Sequence, residues 1–338
     1  MVAMTTARHR LVVPGQSGFY HCISRCVRRA WLCGADALSG QSFEHRREWV
    51  ERRLLELADI FAVGLYAYAV MSNHTHVVLR VDPAVAQAWP DEEVAARWVR
   101  LFPACTDGGV DPARCRDKAL ALLGNRERIE VCRSRLGDLS WFMRSLNEPI
   151  ARRANREDGC TGRFWEGRYT CQALLDEAAV LACMNYVDLN PIRAGMAVDV
   201  ESSAHTGIRP RIESVSSLDA DAPLPPLAGL APGFAVLAIS TAGYLELVDW
   251  TGRQLRPDKR GHVAASTPPI LAKLGLREPA WQSQVLGIER RYGRAIGSAQ
   301  SLLDKAADMG QQWLKGIGMA RRWMHAPRQR EPGYPSSV

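Results

Sequence analysis

The sequence has no uncharged apolar run of about 18 residues, the length at which a helix can cross a membrane. We therefore expect neither a membrane-spanning segment nor a membrane partner. Residues 1–16 contain no long apolar core and no small-residue cleavage site, so we also expect no secretory signal peptide. These absences favour a cytoplasmic protein.

Two common kinds of cofactor site are missing as well. The sequence contains no GxxxxGKS or GxxxxGKT phosphate loop, so we expect no nucleoside triphosphate to drive its chemistry. Cys22, Cys26 and Cys33 lie near one another, but no second cysteine or histidine pair completes a zinc site. The nine cysteines are expected to be reduced thiols, as is usual in the cytosol.

Lysine is scarce, because only five of the 43 basic residues are lysines and the rest are arginines. The planar guanidinium fork of arginine donates two parallel hydrogen bonds to a phosphate. A GC-rich genome would enrich arginine without any such function. The net charge of +7 and the pI of about 9.0 therefore permit a nucleic-acid partner but do not require one.

The first 81 residues have the pattern of a strand, a helix and a hairpin. In the first strand, alternation places His21 and Ile23 on one face. Ser72 and Asn73 form the predicted hairpin turn. The predicted elements are a strand over 18–28, a helix over 44–58 and two strands over 60–71 and 74–81.

Helical patterns dominate the next part of the chain. Residues 82–137 include a patch rich in glycine, aspartate and proline, and we interpret them as an insertion. Asp138 and Ser140 are the candidate N-caps of one helix, and Asp176 is the candidate N-cap of another. The predicted helices span 89–102, 114–135, 138–155 and 177–189.

Proline and serine residues between 211 and 234 predict a linker. Beyond it, residues 243–250 alternate as a strand does, and the pattern is helical from residue 267 onward. We therefore predict an α+β fold with an antiparallel sheet and helices on one face. The predicted domains are a catalytic domain over 1–210, containing the insertion 82–137, and a mostly helical accessory region over 235–338.

The strongest chemical signal is His74-Thr75-His76. Residues i and i+2 of a strand point to the same face, so both imidazoles face one side. Two neutral imidazoles at this spacing can chelate a divalent ion. Two histidines on a strand are more often ordinary polar residues, but the turn before them and the apolar strand after them place this pair at the mouth of a packed hairpin.

The second signal is Tyr186 with Asn190, four residues apart and thus on one face of a helix. Beside a metal-bound phosphate, a phenol can lose its proton and attack phosphorus. Asn190 could supply a neutral oxygen ligand to the ion. The alternative is structural: Tyr186 packs in the interior and Asn190 caps the helix before Pro191.

The third signal is the segment 162–169, in which arginines alternate with aromatic residues. This composition suits stacking of unpaired bases with contacts to phosphate, although a turn held by local ion pairs would have the same composition. Tyr169 is a rival nucleophile. The candidate DNA contacts are Arg25, Arg28, Arg29, Arg163, Trp165, Arg168 and Tyr169.

Together, residues 71–79, 162–169 and 186–195 resemble the motifs of single-tyrosine transposases with the HUH motif. The greatest likeness is to the repeat (REP)-associated tyrosine transposases, over roughly residues 10–200. Thr75 departs from the pattern, which usually has a bulky apolar residue there. Because Thr75 would face away from the metal, we expect little effect.

The resemblance implies a ferredoxin-like catalytic domain that binds Mg²⁺ or Mn²⁺ and acts on single-stranded or hairpin DNA. His74, His76 and Asn190 would be the ligands, and Tyr186 the nucleophile that forms a 5′-phosphotyrosine. We expect the protein to associate with the nucleoid, as a monomer or a homodimer. Two alternatives stay open: a domesticated protein that binds hairpin repeats without cutting, and an unrelated hydrolase of small phosphates.

Overall fold

The computed structural model describes residues 8–27, 32–34, 40–214, 221–230, 236–254 and 268–324. Within them, the strands expected before residue 82 are present, with bounds that differ from the prediction by up to three residues. The strands are Gly18–Arg25 (β1), Val63–Val70 (β2), His74–Val81 (β3), Cys105–Thr106 (β4), Gly109–Val110 (β5), Thr170–Leu174 (β6), Pro223–Leu224 (β7), Ala228–Gly229 (β8), Leu237–Ser240 (β9) and Ala295–Ile296 (β10).

Helices connect and cover these strands. Those up to residue 193 are Arg8–Leu11 (α1), Arg46–Ile60 (α2), Pro83–Ala88 (α3), Asp91–Leu101 (α4), Pro112–Leu123 (α5), Arg126–Leu136 (α6), Leu139–Glu157 (α7), Glu177–Asp188 (α8) and Asn190–Arg193 (α9). Those beyond it are Ile208–Ser214 (α10), Thr241–Gln254 (α11), Pro269–Lys273 (α12), Glu278–Gly287 (α13), Ala299–Asp308 (α14) and Ile317–Met324 (α15).

Six strands form the main sheet, in the order β10-β6-β1-β3-β2-β8. Every neighbouring pair is antiparallel except β10 with β6, which run parallel at one edge. The fold is therefore mixed α/β with a mixed sheet, whereas we expected a purely antiparallel one. The parallel pair arises because β10 comes from the C-terminal region, whose contribution to the sheet has no local signature in the sequence.

Helices lie on both faces of this sheet, so the expectation of helices on one face is wrong. Tyr68 on β2 donates a hydrogen bond to Glu51 on α2, so α2 covers the face to which Tyr68 points. Val77, the partner of Tyr68 on β3, points to the same face, and its neighbour His76 therefore points to the opposite one. The other face carries His76, against which Tyr186 of α8 packs. Because β2 is buried at every residue, neither of its faces could be left to water.

The segment 243–250, which alternates as a strand does, is part of the helix α11. Tyr244, Leu247, Val248 and Thr251 are all buried, and their spacing of i, i+3, i+4 and i+7 is that of one helix face. The short apolar run fits both periods, and packing against α8 selects the helical one.

The segment 211–234, expected to be a linker, contains the end of α10 and the strands β7 and β8. Strand β8 pairs with β2, and β10 pairs with β6, so residues beyond 210 supply both edges of the main sheet. Gly229 has φ +98°, and a Cβ atom there would lie 1.9 Å from the Val63 carbonyl oxygen, so the close approach requires glycine. The proposed domain division stays a prediction, but the segments on its two sides share one sheet.

The insertion 82–137 is helical, as predicted, and adds a small β4–β5 hairpin in the glycine-rich patch. None of the nine cysteines, all of which lie in the described residues, forms a disulfide bond. Among the described residues, no helix combines the length and the apolar character that crossing a membrane requires.

Candidate metal centre and nucleophile

The β2–β3 hairpin brings His74 and His76 together at the start of β3. Their Nε2 atoms lie 2.9 Å apart, and their rings meet edge to face with centroids 4.7 Å apart. His74 Nδ1 donates a hydrogen bond of 2.5 Å to Asn73 Oδ1 in the turn. With that proton on Nδ1, the neutral ring presents an unprotonated Nε2 to its neighbour.

Both imidazoles are neutral at physiological pH. Burial, with the neighbouring Arg25 and His21, lowers the pKa of His74 to about 4 against the opposing effect of Glu289. Burial also lowers the pKa of His76 well below its ordinary value, and the neighbouring His21 and His74 act in the same direction. A neutral imidazole is the form that binds a metal ion, so the pair is ready for this role.

His76 has a further partner, His21 on β1, which the sequence argument did not assign to the site. His21 Nε2 lies 3.0 Å from His76 Nδ1, and the two ring planes are nearly parallel, with centroids 5.2 Å apart. On its other side, His21 Nδ1 lies 2.9 Å from Oε1 of Gln172 on β6. Both His21 and His76 are fully buried, so this contact chain is shielded from water.

Helix α8 places the other predicted residues beside the histidines. Asp176 caps it, accepting a hydrogen bond from the backbone N–H of Ala179. The ring of Tyr186 lies 5.6 Å from that of His76, and Asn190, at the start of α9, has its amide nitrogen 2.9 Å from His76 Nε2. A rotation of this amide by half a turn would bring its oxygen to the same position.

Glu289, between α13 and β10, reaches the same place and was missed by the sequence argument. One ligand atom each from His74, His76 and Glu289 lie within 4.8 Å of one another. A Glu289 carboxylate oxygen is 3.8 Å from His76 Nε2. The residue lies 99 positions beyond Asn190, the nearest predicted ligand, and belongs to no motif, so nothing in the sequence pointed to it.

Among the charged groups that act on the Tyr186 phenol, the Glu289 carboxylate has the largest effect. Burial raises the pKa of Tyr186, and the charge of Glu289 and its hydrogen bond raise it further, while Arg193 opposes them. The Arg193 guanidinium lies over the tyrosine ring, 4.9 Å from its centroid. Without an added cation, this tyrosine is therefore a protonated and weak nucleophile.

The donor set fits a divalent cation. Two imidazole nitrogens bound at right angles to one ion, each about 2.1 Å away, would lie about 3.0 Å apart. The observed separation of 2.9 Å between the His74 and His76 Nε2 atoms matches this geometry. Glu289 and Asn190 add an anionic and a neutral oxygen donor of the kind that hard divalent cations prefer.

A cleft of about 930 Å³ adjoins this centre. Gln172 and Glu289, which contact His21 and His76, also line this cleft. The basic side chains in its lining are Arg25, Arg168 and Arg294. The cleft lies between the segment 166–172 and the segment 289–294. Its lining thus has three arginines against two glutamates, Glu166 and Glu289, and the cleft opens beside the carboxylate of Glu289.

The residues predicted to contact DNA differ in their exposure and in whether they line the cleft. Arg25 and Arg168 are exposed and line the cleft, whereas Arg163 is exposed outside its lining. Trp165 is half-buried and its indole N–H donates to the Asn147 carbonyl. Tyr169 is buried. Arg28 and Arg29 lie outside the described residues.

The rival nucleophile Tyr169 also lines the cleft. Its hydroxyl lies 3.4 Å from Ser140 Oγ at the start of α7. The ring of Tyr186 contacts those of His21 and His76.

Comparisons with known proteins gave one distant likeness. No protein-family model matches the chain, and no curated protein matches it. A solved structure described as "Structure of the REP associates tyrosine transposase bound to a REP hairpin" aligns with a TM-score of 0.35 and 11% identity, over 68% of this chain and 92% of that one. The likeness supports only a distant structural relationship.

Proposed function

We propose that the protein is a metal-dependent enzyme that nicks and rejoins single-stranded DNA through a covalent bond to Tyr186. The observation that carries this proposal is the contact between the rings of Tyr186 and His76, whose centroids lie 5.6 Å apart, since the two residues come from motifs about 110 residues apart. A packing tyrosine would have no reason to lie against two imidazoles and a carboxylate.

In this proposal, His74 and His76 hold Mg²⁺ or Mn²⁺ together with oxygens of Asn190 and Glu289. The ion, when bound, would offset negative charge on the scissile phosphate. Tyr186 attacks phosphorus in line, forming a bond to the 5′-phosphate as the bond to the 3′ oxygen breaks. Glu289 accepts the phenolic proton, and the departing 3′ oxygen takes up a proton from water.

The bond energy is retained in the phosphotyrosine, so the reverse attack by a 3′-hydroxyl rejoins the strand. This conservation agrees with the lack of a nucleotide-binding loop in the sequence. The cleft lined by Arg25, Arg168 and Arg294 would hold the phosphates of the unpaired strand beside Glu289. Unpaired DNA next to a folded hairpin is the proposed substrate.

The order of the four central strands supports the ferredoxin-like core that the sequence resemblance implies. They run β6-β1-β3-β2, all antiparallel, with α2 connecting β1 to β2. We propose that this core is the catalytic unit.

The test is a search for the covalent adduct. Labelled single-stranded DNA carrying a hairpin is incubated with Mn²⁺ and run on a denaturing gel. We expect an adduct with the wild type and with Tyr169→Phe, and none with Tyr186→Phe, which should still bind the DNA. An adduct retained in Tyr186→Phe and lost in Tyr169→Phe would transfer the role to Tyr169.

A second function, binding of hairpin DNA without cutting, is favoured by one observation. Tyr186 is 4% exposed, and burial together with the charge of Glu289 raises the pKa of its phenol, which opposes attack on a phosphate. In that case no adduct forms under any divalent metal, although salt-sensitive binding persists.

A further inference from the structure

The amide of Gln172 can take only one orientation. Its Nε2 donates to two backbone carbonyls of the C-terminal region, those of Ile288 at 2.9 Å and Gly293 at 2.8 Å. Turned the other way, its oxygen would face both carbonyls and every one of these contacts would be repulsive. Gln172 Oε1 must therefore point at His21 Nδ1, which lies 2.9 Å away.

This orientation determines where the protons of two histidines lie. An amide oxygen only accepts, so His21 carries its proton on Nδ1. His21 is fully buried and neutral, which leaves its Nε2 as an acceptor. That atom lies 3.0 Å from His76 Nδ1, so His76 must donate from Nδ1 and keep an unprotonated Nε2.

We propose that Gln172 and His21 are positioning residues that hold His76 in its metal-binding tautomer, and that the 288–293 loop orients them through its carbonyls. Gln172, His21 and His76 form what we call the relay. The proposal deepens the proposed function, because the retained Nε2 lone pair is the one that faces His74 and Asn190. Partners of this kind around a metal ligand typically contribute about 10–100-fold in metal affinity.

The 288–293 loop thus acts on the centre in two ways. It carries Glu289, whose carboxylate lies within 4.8 Å of the ligand nitrogens of His74 and His76. The backbone carbonyls of residues 288 and 293, on either side of Glu289 in the chain, accept the hydrogen bonds that orient Gln172. A loop that moved away would remove a ligand and release the His76 tautomer together. In this proposal, the C-terminal region supplies both a ligand and the groups that orient Gln172.

The first experiment reads the tautomer directly in the metal-free full chain. With ¹⁵N-labelled histidine, long-range ¹H–¹⁵N NMR distinguishes a proton on Nδ1 of His76 from one on Nε2. We expect Nδ1–H in the wild type and in the control Gln284→Met, which changes a buried glutamine outside the relay. Gln172→Met and His21→Phe should shift His76 towards Nε2–H. A wild-type His76 protonated on Nε2 would overturn the proposal, whether or not the variants fold.

The second experiment measures Mn²⁺ affinity by calorimetry on the same proteins. We expect Gln172→Met and His21→Phe to bind about 10–100-fold more weakly and Gln284→Met to bind as the wild type does. Equal affinity in all four proteins would refute the relay. A wild type that binds no Mn²⁺ would instead refute the proposed function, and the NMR result would still decide the relay.

Discussion

Tyr244 on α11 donates a hydrogen bond of 2.5 Å to the Asp188 carboxylate at the end of α8, joining the C-terminal region to the helix that carries Tyr186. Both side chains are fully buried. The guanidinium of Arg211, also buried, lies 5.6 Å from the Tyr244 ring centroid and attracts the carboxylate. The region beyond residue 210 is therefore anchored in the interior behind the candidate nucleophile.

This contact makes stability depend on pH. Burial raises the pKa of Asp188 from 3.8 to about 7, against the opposing effects of Tyr244 and Arg211. The folded state thus binds a proton more tightly than the unfolded state, so this group's contribution is complete below about pH 4 and is lost as pH rises to about 7. We expect Asp188→Asn to be the more stable protein at pH 8, by a few kcal/mol at most, since one pKa unit is about 1.4 kcal/mol.

Urea unfolding of metal-free wild type and Asp188→Asn between pH 5 and pH 8 measures this difference. The gap between the two free energies of unfolding should widen with pH. Tyr244→Phe is the matched variant: it leaves the carboxylate without its hydrogen bond and should lower stability by about 1–3 kcal/mol at pH 8. A gap that stays constant with pH would show that Asp188 does not titrate in this range.

Divalent metal should stabilise the folded protein. A ligand that binds only the native state adds about 2.7 kcal/mol at a concentration one hundred times its Kd. We expect Mn²⁺ to raise the Tm of the wild type and EDTA to reverse the rise. His76→Ala should lose the response, whereas His45→Ala, an exposed histidine outside the site, should keep it. A full response in His76→Ala would place the metal elsewhere.

Glu289→Gln separates charge from size at the site. Glutamine keeps an oxygen near the ion and an acceptor for the Tyr186 phenol but removes the negative charge. We expect about tenfold weaker Mn²⁺ binding or more, as for loss of a supporting ligand group, with an unchanged fold. Glu246→Gln, an exposed glutamate on α11, is the control for calorimetry. Equal affinities would remove Glu289 from the ligand set.

The arginines that line the cleft should make the affinity for single-stranded DNA depend on salt concentration. We expect Arg168→Ala to weaken binding of single-stranded DNA and to reduce the slope of log K against log salt by about 0.7, the value for one phosphate contact on a single strand. Arg116→Ala, an exposed arginine on α5 away from the cleft, should leave both unchanged. Fluorescence anisotropy from 50 to 300 mM salt measures the slopes; identical slopes for the two variants would mean that the strand lies outside the cleft.

The parts of this protein that the sequence determined by itself are those set by neighbours in the chain. The hairpin that presents His74 and His76 follows from alternation around a polar turn, and the caps Asp138 and Asp176 begin their helices where predicted. The spacing of Tyr186 and Asn190 places both near one turn of helix. Each of these depends on backbone periodicity and local hydrogen bonding, which a short window of sequence contains.

Only the tertiary structure decided the rest. The strand pattern at 243–250 became a helix because α8 offered a surface that the helical face could cover. Helices occupy both faces of the sheet because β2 is apolar all round. Glu289, His21 and Gln172 joined the histidines through pairings between residues far apart in the chain, whose energy comes from packing and buried hydrogen bonds, and no local pattern records such pairings.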